Sequence, residues 1–530
     1  IFGDYSLYLL FITHDNAIVT TTFYTMKYIK ITLAVIAALF ISQTLSAQVP
    51  LKIVIGGEDT VYNQKHTLVC ITDPGNVAAI NENQLKVYRT GAFGTEIDLR
   101  RGNNKIEITL FKGKNRRIET INVYYDPDAK KPVRPEPKMT LEEAKAIMEK
   151  SQYKEELFYG LSLDGAYLQF GDGDDRLGGS KMGYVDAGIV FKVVASVGDL
   201  YKVQLSQNKF AYIPQEYLER TDERTSQINT GSWSVSNLGK ADRVRISLPK
   251  RLPYVSWTQL DPTTICIDIF GATNNSNWIT QYRGLQMISY VDYRQVDSDV
   301  FRVILRLKHK YCWGYKIGYE GNNLVIDVRH TPGLSLNGLR VGLDAGHGGS
   351  ALGAVSITGI REKDVNLDIV NMLKRALEAK GATVVLSRSG DYDISMSERK
   401  RIFNENNVHI ALSIHNNAGG SPVNPMGSST YYKHITNRDF AETMLERLLE
   451  LGVPNFGLVG NFNFSLAAPT EYPVVLLELL FMSSIWDEDK LIDPDFRKKM
   501  VNNIVLGLED YLEKVDASIE EPVVKKKKRR

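Results

Sequence analysis

Four side chains in the carboxyl-terminal third have the types and positions needed to bind a metal ion and move protons. His347 lies in the glycine-rich stretch Val341–Gly349 (VGLDAGHGG), and Glu362 lies in GIREKD. His415 lies in SIHNN, and Glu478 follows the apolar residues of PVVLLE. Zinc sites that catalyse hydrolysis commonly use two histidines and one carboxylate, with one position left open. A further carboxylate can then move protons, so this set predicts a metal-assisted hydrolase site.

The elements that would position these residues follow from a change of pattern at Leu339. Apolar runs alternate from here with segments of helical periodicity, which end at Gly381 and Gly452. The runs are Leu339–Ala345, Thr383–Leu386, Ile410–Ile414 and Val474–Leu477. Apolar strands separated by helices predict a mainly parallel sheet flanked by helices. Reactive groups collect beyond the carboxyl ends of such strands, where we expect the first turn and the last two runs to deliver His347, His415 and Glu478.

The apolar surroundings of Glu478 strengthen this hypothesis. Apolar residues precede it, and Leu479-Leu480-Phe481 follow it. A carboxylate in such a run is costly unless it is paired or lies near a metal. The alternative is a glutamate just beyond the strand end, in contact with solvent.

A different class of protein is suggested by Gly346-x-Gly348-x-x-Ala351, which fits a dinucleotide-binding fingerprint. A lone match of this kind is weak. The fingerprint requires a helix that begins at its last position, whereas Gly353 and Gly359 interrupt the stretch that follows. We therefore expect no organic cofactor.

Length and charge limit the remaining possibilities. A chain of 530 residues is too long for one core, so we expect several domains. The net charge of +2 gives no indication that the chain as a whole binds nucleic acid. The basic run Lys525–Arg530 is typical of a solvated tail, which we place at residues 515–530. The three cysteines lie in apolar runs without metal-site spacing, although Cys266 and Cys312 could pair in an oxidising compartment.

An export signal is predicted near the amino end. Residues 26–47 have a charged start, an apolar centre and the small residues Ser46-Ala47 before Gln48, which is the layout of a signal peptide. Residues 1–25 lack this pattern, so we interpret them as an untranslated upstream extension. The mature chain is then expected in the periplasm or cell envelope.

Three groups of short runs with period-two alternation precede Leu339, and each predicts an all-β module. Residues 48–126 resemble a bacterial immunoglobulin-like β-sandwich. Residues 157–222 resemble an SH3-like module, which often binds cell wall in exported proteins. Residues 232–331 resemble the AMIN β-sandwich that precedes some cell-wall amidases. Residues 127–156, rich in proline at their start, predict a linker and a short helix.

The motifs of residues 339–514 resemble those of the zinc-dependent N-acetylmuramoyl-L-alanine amidases (amidase type 3). The matching motifs are DAGHGG, GIREKD, SIHNN and PVVLLEL. The resemblance implies that His347, Glu362 and His415 bind Zn²⁺ and that Glu478 is the catalytic carboxylate. It also implies substrate-binding or supporting roles for Arg388 and Asn417. Ala345, Leu480 and Ser484 depart from the usual pattern without removing a ligand.

The predicted fold class is therefore multidomain, with three small all-β modules ahead of an α/β catalytic domain. The resemblance implies hydrolysis of the amide between N-acetylmuramic acid and L-alanine in peptidoglycan, in cell-wall turnover or cell separation. The alternative is a catalytically degenerate amidase fold that binds cell wall or regulates another protein. We expect a monomer whose β modules offer a surface for a cell-envelope protein.

Overall fold

The computed structural model describes residues 49–128, 152–173, 181–275 and 279–520. The predicted upstream extension (1–25), the signal peptide (26–47) and most of the linker helix (127–156) lie outside the described residues, as does the end of the basic tail. The multidomain organisation is visible as separate hydrophobic clusters. Among the described helices, none combines the length and apolar character that a membrane crossing requires.

The first β module contains eight strands in two sheets. The sheets have the orders β1-β3-β6 and β2-β8-β7-β4-β5. Alternate residues, including Leu68, Cys70 and Phe93, face a shared core between them. The strands are β1 Lys52–Ile55, β2 Thr60–Val61, β3 Lys65–Ile71, β4 Val77–Ile80, β5 Asn83–Leu85, β6 Ala92–Asp98, β7 Gly102–Lys112 and β8 Asn115–Tyr125.

The second β module is a single seven-stranded sheet with the order β11-β10-β14-β13-β12-β9-β15. Its core includes Phe191, Val193 and Ile213 and continues into Phe270 and Val300 of the third module, so the two modules share a hydrophobic cluster. The strands are β9 Lys154–Ser162, β10 Tyr167–Gln169, β11 Lys181–Tyr184, β12 Val190–Val197, β13 Leu200–Gln204, β14 Phe210–Pro214 and β15 Leu218–Thr221, with a 3₁₀ helix at Gln215–Tyr217.

The third β module packs a five-stranded sheet, β22-β17-β18-β26-β25, against a four-stranded sheet, β19-β20-β24-β23. A short parallel pair, β16 with β21, lies beside them. Its core contains Trp233, Phe301 and Ile326. The strands are β16 Ile228–Asn229, β17 Trp233–Asn237, β18 Ala241–Ile246, β19 Tyr254–Gln259, β20 Thr264–Phe270, β21 Ala272–Thr273, β22 Ile279–Gln281, β23 Ile288–Asp297, β24 Val300–Leu307, β25 Tyr315–Glu320 and β26 Asn323–Arg329.

The carboxyl-terminal domain is built on a six-stranded sheet with the order β28-β27-β29-β32-β30-β31. The pair β30–β32 is antiparallel, and the other pairs are parallel. The strands are β27 Arg340–Ala345, β28 Thr383–Leu386, β29 Ile410–Asn417, β30 Ser428–Tyr431, β31 Asn455–Val459 and β32 Val474–Phe481. The helices are α1 Glu362–Ala379, α2 Met396–Glu405, α3 Arg438–Leu449, α4 Ile485–Ile492 and α5 Pro494–Glu520, with a 3₁₀ helix at Ile435–Asn437.

Helices cover both faces of this sheet because alternate strand residues enter different cores. Val341, Leu343 and Ile410 belong to a large cluster with α1, α3 and α5. Ala411 and Val474 point to the other face, where Phe403 of α2 covers them. Burial on both faces explains why these strands read as continuous apolar runs.

Some boundaries differ from the sequence expectations. Strands β29 and β32 continue past His415 and Glu478, so both residues lie inside strands and do not close them. Helix α5 continues to Glu520, although we expected the solvated tail to begin at residue 515. Apolar contacts of Val515 and Ile519 with the core of the domain account for this extension. Cys70, Cys266 and Cys312 are buried and free.

The modules are packed against one another. Arg89 of the first module forms an ion pair with Asp493 after α4. In the third module, the backbone N–H of Tyr315 donates to Thr470 O of the carboxyl-terminal domain at 2.7 Å. The second and third modules also share a hydrophobic core.

Candidate metal centre

The turn that carries His347 has three consecutive residues with positive φ, two of which are glycines. Strand β27 ends at Ala345, and His347 then adopts a φ of +63°, in the left-handed region that few residues other than glycine occupy. Gly348 (φ +136°) and Gly349 (φ +56°) also have positive φ. This turn directs the imidazole toward Glu362.

Glu362 is the first residue of α1 and joins the two histidines. Its Oε2 lies 3.1 Å from His347 Nε2, and its Oε1 lies 3.1 Å from His415 Nδ1. The two imidazole centroids are 4.9 Å apart. Burial alone would raise the pKa of the Glu362 carboxyl, but hydrogen bonds to both histidines hold it well below its usual range. Glu362 is therefore an ionised carboxylate.

Further hydrogen bonds fix the orientation of the Glu362 carboxylate. The backbone N–H of Asn416 and the side-chain amide of Asn366 donate to Oε1 at 3.0 and 3.1 Å. The backbone N–H of Ala354 donates to Oε2 at 2.8 Å. Asn366 lies one helical turn after Glu362, so α1 supplies both the carboxylate and one of its donors.

Two glycines allow the close approach of these side chains. A Cβ at Gly346 would lie 2.3 Å from His415 Cε1. A Cβ at Gly353 would lie 2.4 Å from Glu362 Oε2 and 2.6 Å from His347 Cδ2. Neither distance is compatible with a side chain, so the backbone itself forms part of the wall around the cluster.

Glu478 lies beside this cluster on the neighbouring strand. It is opposite His415 in the parallel register of β29 and β32 and is 9% exposed. Burial, with a small contribution from Glu362, raises the pKa of Glu478 to about 7, although His415 opposes the shift. Its Oε2 is buried and has no hydrogen-bond partner among the described residues. A carboxylate held near neutral pKa is suited to accept and return a proton.

A buried network under the turn contains residues that the sequence analysis did not assign. Asp344 accepts hydrogen bonds from Ser387 and Ser413 at 2.6 and 2.7 Å and pairs with Arg399 at 2.6 Å. Arg399 also donates to the carbonyl of His347 at 2.6 Å. Burial would raise the pKa of Asp344, but Arg399 and the other partners lower it overall. The signal was available, because Asp344 is a carboxylate inside an apolar run, as Glu478 is.

Arg388 supports the same turn from the other side. It is 1% exposed and donates to the carbonyls of Ala345, Gly346 and Lys363 at 2.8, 3.0 and 2.8 Å. An arginine with so little exposed surface cannot contact a substrate from solvent. Of its two expected roles, the supporting one agrees with the structure.

Asn417 is near the cluster but does not bond to it. Its Oδ1 accepts the backbone N–H of Ala418 at 2.8 Å, and its Nδ2 lies 3.5 Å from the hydroxyl of Tyr431. The register of β29 against β32 shifts between His415 and Asn417. This irregularity removes Asn417 from the position that simple strand alternation predicts.

His66 Nε2 lies 2.9 Å from the carbonyl of Gly56 in the first module, and three further histidines also have structural partners. His330 Nε2 lies 2.9 Å from Asp242, and His434 Nε2 lies 2.9 Å from the carbonyl of Ala468. His409 Nδ1 accepts the backbone N–H of Arg340 at 3.2 Å. None of these three joins the cluster around Glu362.

The donor set fits a divalent metal ion. One ligand atom from each of His347, Glu362 and His415 can be chosen so that all three lie within 4.8 Å of one another. No other group of three such side chains in the described ranges meets this distance. Two imidazole nitrogens and a carboxylate oxygen suit zinc and leave a coordination position free. The unpartnered Oε2 of Glu478 indicates a site that is completed by something outside the chain.

Two regions of the chain match known protein families, and relatives of the carboxyl-terminal region include a probable cell wall amidase. The sequence profile for N-acetylmuramoyl-L-alanine amidases matches residues 341–510, and that for the AMIN domain matches residues 234–328. The probable cell wall amidase LytH of Staphylococcus aureus is 36% identical over 205 residues, which are 37% of this chain and 67% of LytH. The uncharacterized protein YqiI of Bacillus subtilis (strain 168) is 32% identical over 180 residues, 33% of this chain and 86% of YqiI.

Among solved structures, the catalytic domain of the amidase CwlV from Bacillus (Paenibacillus) polymyxa is 31% identical. The match covers 33% of this chain and 98% of that one, with a TM-score of 0.32. The amidase profile match spans the cluster of His347, Glu362, His415 and Glu478. The chain therefore belongs to the N-acetylmuramoyl-L-alanine amidase family and carries an AMIN domain ahead of its amidase domain.

Proposed function

We propose that this protein is an exported, zinc-dependent amidase that cleaves the bond between N-acetylmuramic acid and L-alanine in peptidoglycan. The proposal rests on one observation, the arrangement of ionisable side chains around the candidate metal centre. Three ligating side chains converge beside Glu478, a buried carboxylate with a free oxygen and a pKa raised to about 7. A degenerate, wall-binding domain would have no need for this unsatisfied group.

In this proposal His347, Glu362 and His415 hold the metal. A bound zinc ion would act as a Lewis acid, which makes an amide carbonyl more electrophilic and a water molecule more acidic. The hydrogen bonds from Arg388 to the carbonyl of Gly346 and from Arg399 to the carbonyl of His347 keep the His347 turn in place during turnover. Such supporting bonds typically affect metal affinity by about 10–100-fold.

Glu478 is the proton carrier. Its Oε2 accepts a proton from the attacking water, whose oxygen forms a bond to the lactyl carbonyl carbon. The carbon–nitrogen bond then breaks, and the Glu478 carboxyl group returns the proton to the departing amine. The products are a lactyl carboxylate on the sugar and a free amino group on L-alanine. The AMIN domain and the other β modules would hold the enzyme against the cell wall, in the periplasm or envelope.

Glu478→Gln is the direct test, because it preserves size and removes the basic oxygen. We expect zinc to remain at the wild-type stoichiometry, measured by metal analysis of the purified full-length mature chain. Release of new L-alanine amino termini from peptidoglycan should fall by about 10²–10⁴-fold, the usual contribution of general acid–base catalysis. Equal release by the variant and the wild type would reject Glu478 as the base. Loss of zinc from the variant would make Glu478 a ligand.

A further inference from the structure

A cavity of about 1150 Å³ lies where the second and third β modules meet the amidase domain. None of the four residues of the proposed active site lines it. Ligand sites of proteins typically measure about 300–1,000 Å³ and occur preferentially between domains. This cavity therefore has the size and location of a binding site, and neither the metal cluster nor Glu478 accounts for it.

Aromatic side chains form much of the rim. Phe170, Tyr184 and Phe210 of the second module line the cavity and are 66%, 44% and 41% exposed. Trp257 of the third module and Tyr432 of the amidase domain add two more rings. Exposed aromatic rings that converge on one cavity are typical of a surface that packs against a ligand. Flat apolar ring faces suit the apolar faces of sugar rings and their N-acetyl methyl groups.

The charge of the lining is strongly positive. Lys181, Lys209, Lys400 and Lys433 line the cavity, and Glu471 is the carboxylate among the lining residues. Lys209 lies 3.7 Å from Asp268, but no ion pair joins the other three lysines to a carboxylate within the described ranges. Three lining ammonium groups without a carboxylate partner among the described residues favour an anionic ligand.

The pKa of one lining side chain, Tyr184, agrees with this positive potential. Burial raises the pKa of Tyr184, but Lys400 and Lys181 together lower it below its ordinary value. Lys400 Nζ donates to the Tyr184 hydroxyl at 2.6 Å. Burial lowers the pKa of Lys433, whose Nζ donates to Asn461 at 3.1 Å. A carboxylate in the cavity would relieve the cost of these partly desolvated ammonium groups.

A short segment separates the cavity from the neighbourhood of the metal centre. Asn461 and Asn463 line the cavity, whereas Phe462 and Phe464 pack on the ring of Tyr431, at 5.2 and 6.0 Å between centroids. The hydroxyl of Tyr431 lies 3.5 Å from Asn417, two residues after His415. A ligand in the cavity would therefore lie against the opposite side of the segment that borders the metal centre.

We propose that this cavity binds the glycan product of the amidase reaction, a strand of amino sugars with free lactyl carboxylates. The inference rests on the proposed function, because hydrolysis creates one carboxylate at each sugar from which a peptide is removed. In the substrate the same carbonyl carbon is an uncharged amide. Rings along the cavity match the sugars, and the lysines match carboxylates that lie directly on those sugars. We therefore expect the cavity to favour a stripped strand over an intact one, whose carboxylates lie out on the peptides. Binding there would keep the enzyme on a strand that it has begun to strip.

The test is a titration of the full-length mature chain, followed by calorimetry. The probe is an oligosaccharide of alternating N-acetylglucosamine and N-acetylmuramic acid without peptides. The comparison ligands are an N-acetylglucosamine oligomer of equal length, which has no carboxylate, and the free stem peptide. We expect the carboxylated glycan to bind at least about tenfold more tightly than either, since hydrogen bonds to charged groups contribute enough free energy for such a ratio. Its affinity should also fall as salt is added.

Two variants locate the binding. Phe170→Ala removes an exposed ring and Lys433→Gln removes one ammonium group, and each should weaken glycan binding about tenfold or more. Their matched controls, Tyr282→Ala and Lys105→Gln, change exposed residues away from the cavity and should leave the affinity unchanged. Hydrolysis of a single soluble muropeptide should be unchanged in Phe170→Ala, because that residue is outside the catalytic cluster.

Several results would overturn the inference. Equal affinity for the neutral oligomer, tighter binding of the stem peptide, or wild-type glycan affinity in Phe170→Ala would each reject it. Failure of the proposed function would look different. Glycan binding by a chain that releases no L-alanine amino termini would reject the amidase activity and leave the cavity's preference for a carboxylated glycan intact.

Discussion

The amidase domain and the third β module each place a histidine beside a buried carboxylate, and the two pairs differ in how completely their atoms are bonded. In the third module, Asp242 is fully buried and accepts the backbone N–H groups of Gln286, Met287 and Ile288. Its remaining contact is His330 Nε2, at 2.9 Å. In the amidase domain, Oε2 of Glu478 has no partner among the described residues.

The difference indicates which pair is structural. A buried polar atom without a hydrogen bond typically costs about 1–3 kcal/mol, and functional sites are one place where such a cost is tolerated. Asp242 and His330 fasten the chain before β23 to the sheet that contains β18, and their bonds are complete. Burial and a histidine partner therefore do not identify an active site by themselves. In this protein the distinguishing feature is the carboxylate oxygen of Glu478 without a hydrogen-bond partner in the described part of the chain, beside three side chains that can bind a metal.

The largest expected effect separates the two histidines. His347→Ala removes a proposed ligand, so both bound zinc and amidase activity should be lost while the β modules remain folded. His330→Ala should instead retain zinc and activity and lower the melting temperature. Metal analysis, peptidoglycan hydrolysis and thermal unfolding of the two variants measure this contrast. Retention of zinc and activity in His347→Ala would place the metal centre elsewhere.

The next effect is on stability alone. Asp242→Ala leaves three backbone N–H groups and His330 without their acceptor inside the third module. Removing one partner of a buried, bonded pair typically costs about 3–5 kcal/mol. We expect a loss of that size in the free energy of unfolding of this module, measured by denaturant titration. Zinc content of the folded fraction should not change, and a change would mean that the two regions are coupled.

A smaller effect compares two glycines with similar backbone angles. Gly353 (φ +68°) leaves no room for a Cβ beside Glu362 and His347, whereas Gly321 (φ +62°) of the third module faces open space. Both alanine variants carry the strain of positive φ. Only Gly353→Ala should also weaken zinc affinity, by about 10–100-fold as for other changes around a metal's ligands. Competition with a chelator measures the zinc affinity. Equal zinc affinities of Gly353→Ala and Gly321→Ala would show that crowding at residue 353 is relieved without moving the ligands.

The parts of the structure that were accessible from sequence depend on local patterns. Apolar runs located four of the six strands of the amidase domain but not β30 and β31, and the glycines around His347 located its turn. Strand ends were harder, because β29 and β32 continue through His415 and Glu478 while both faces stay buried. The local bonds of Asn417 were also inaccessible, since the shift in register after His415 leaves no mark in the sequence.

The cavity between modules illustrates a second limit. Phe170, Trp257 and Lys433 belong to three modules and have no common period or motif. Their meeting depends on how folded modules pack, as in the cluster that Phe270 and Val300 share with the second module. Asp344 is a different case, because a carboxylate inside an apolar strand is the same signal that identified Glu478. Pattern reasoning can therefore find such residues when it is applied to every buried run.

The smallest expected effect concerns acid and again uses Asp242. Burial would raise the pKa of its carboxyl, but three backbone N–H groups and His330 lower it below its ordinary value of 3.8. The folded state then binds this proton more weakly than the unfolded state does. The stabilisation is present above the ordinary pKa and is lost as the pH falls through the lower pKa of the folded state. Asp242→Asn lacks this titration, so its melting temperature should approach that of the wild type as the pH is lowered below about 4. The exposed Asp222 provides the control, since Asp222→Asn should follow the wild type at every pH. A constant difference between Asp242→Asn and the wild type across this range would mean that geometry alone, and not the charge of the carboxylate, stabilises the third module.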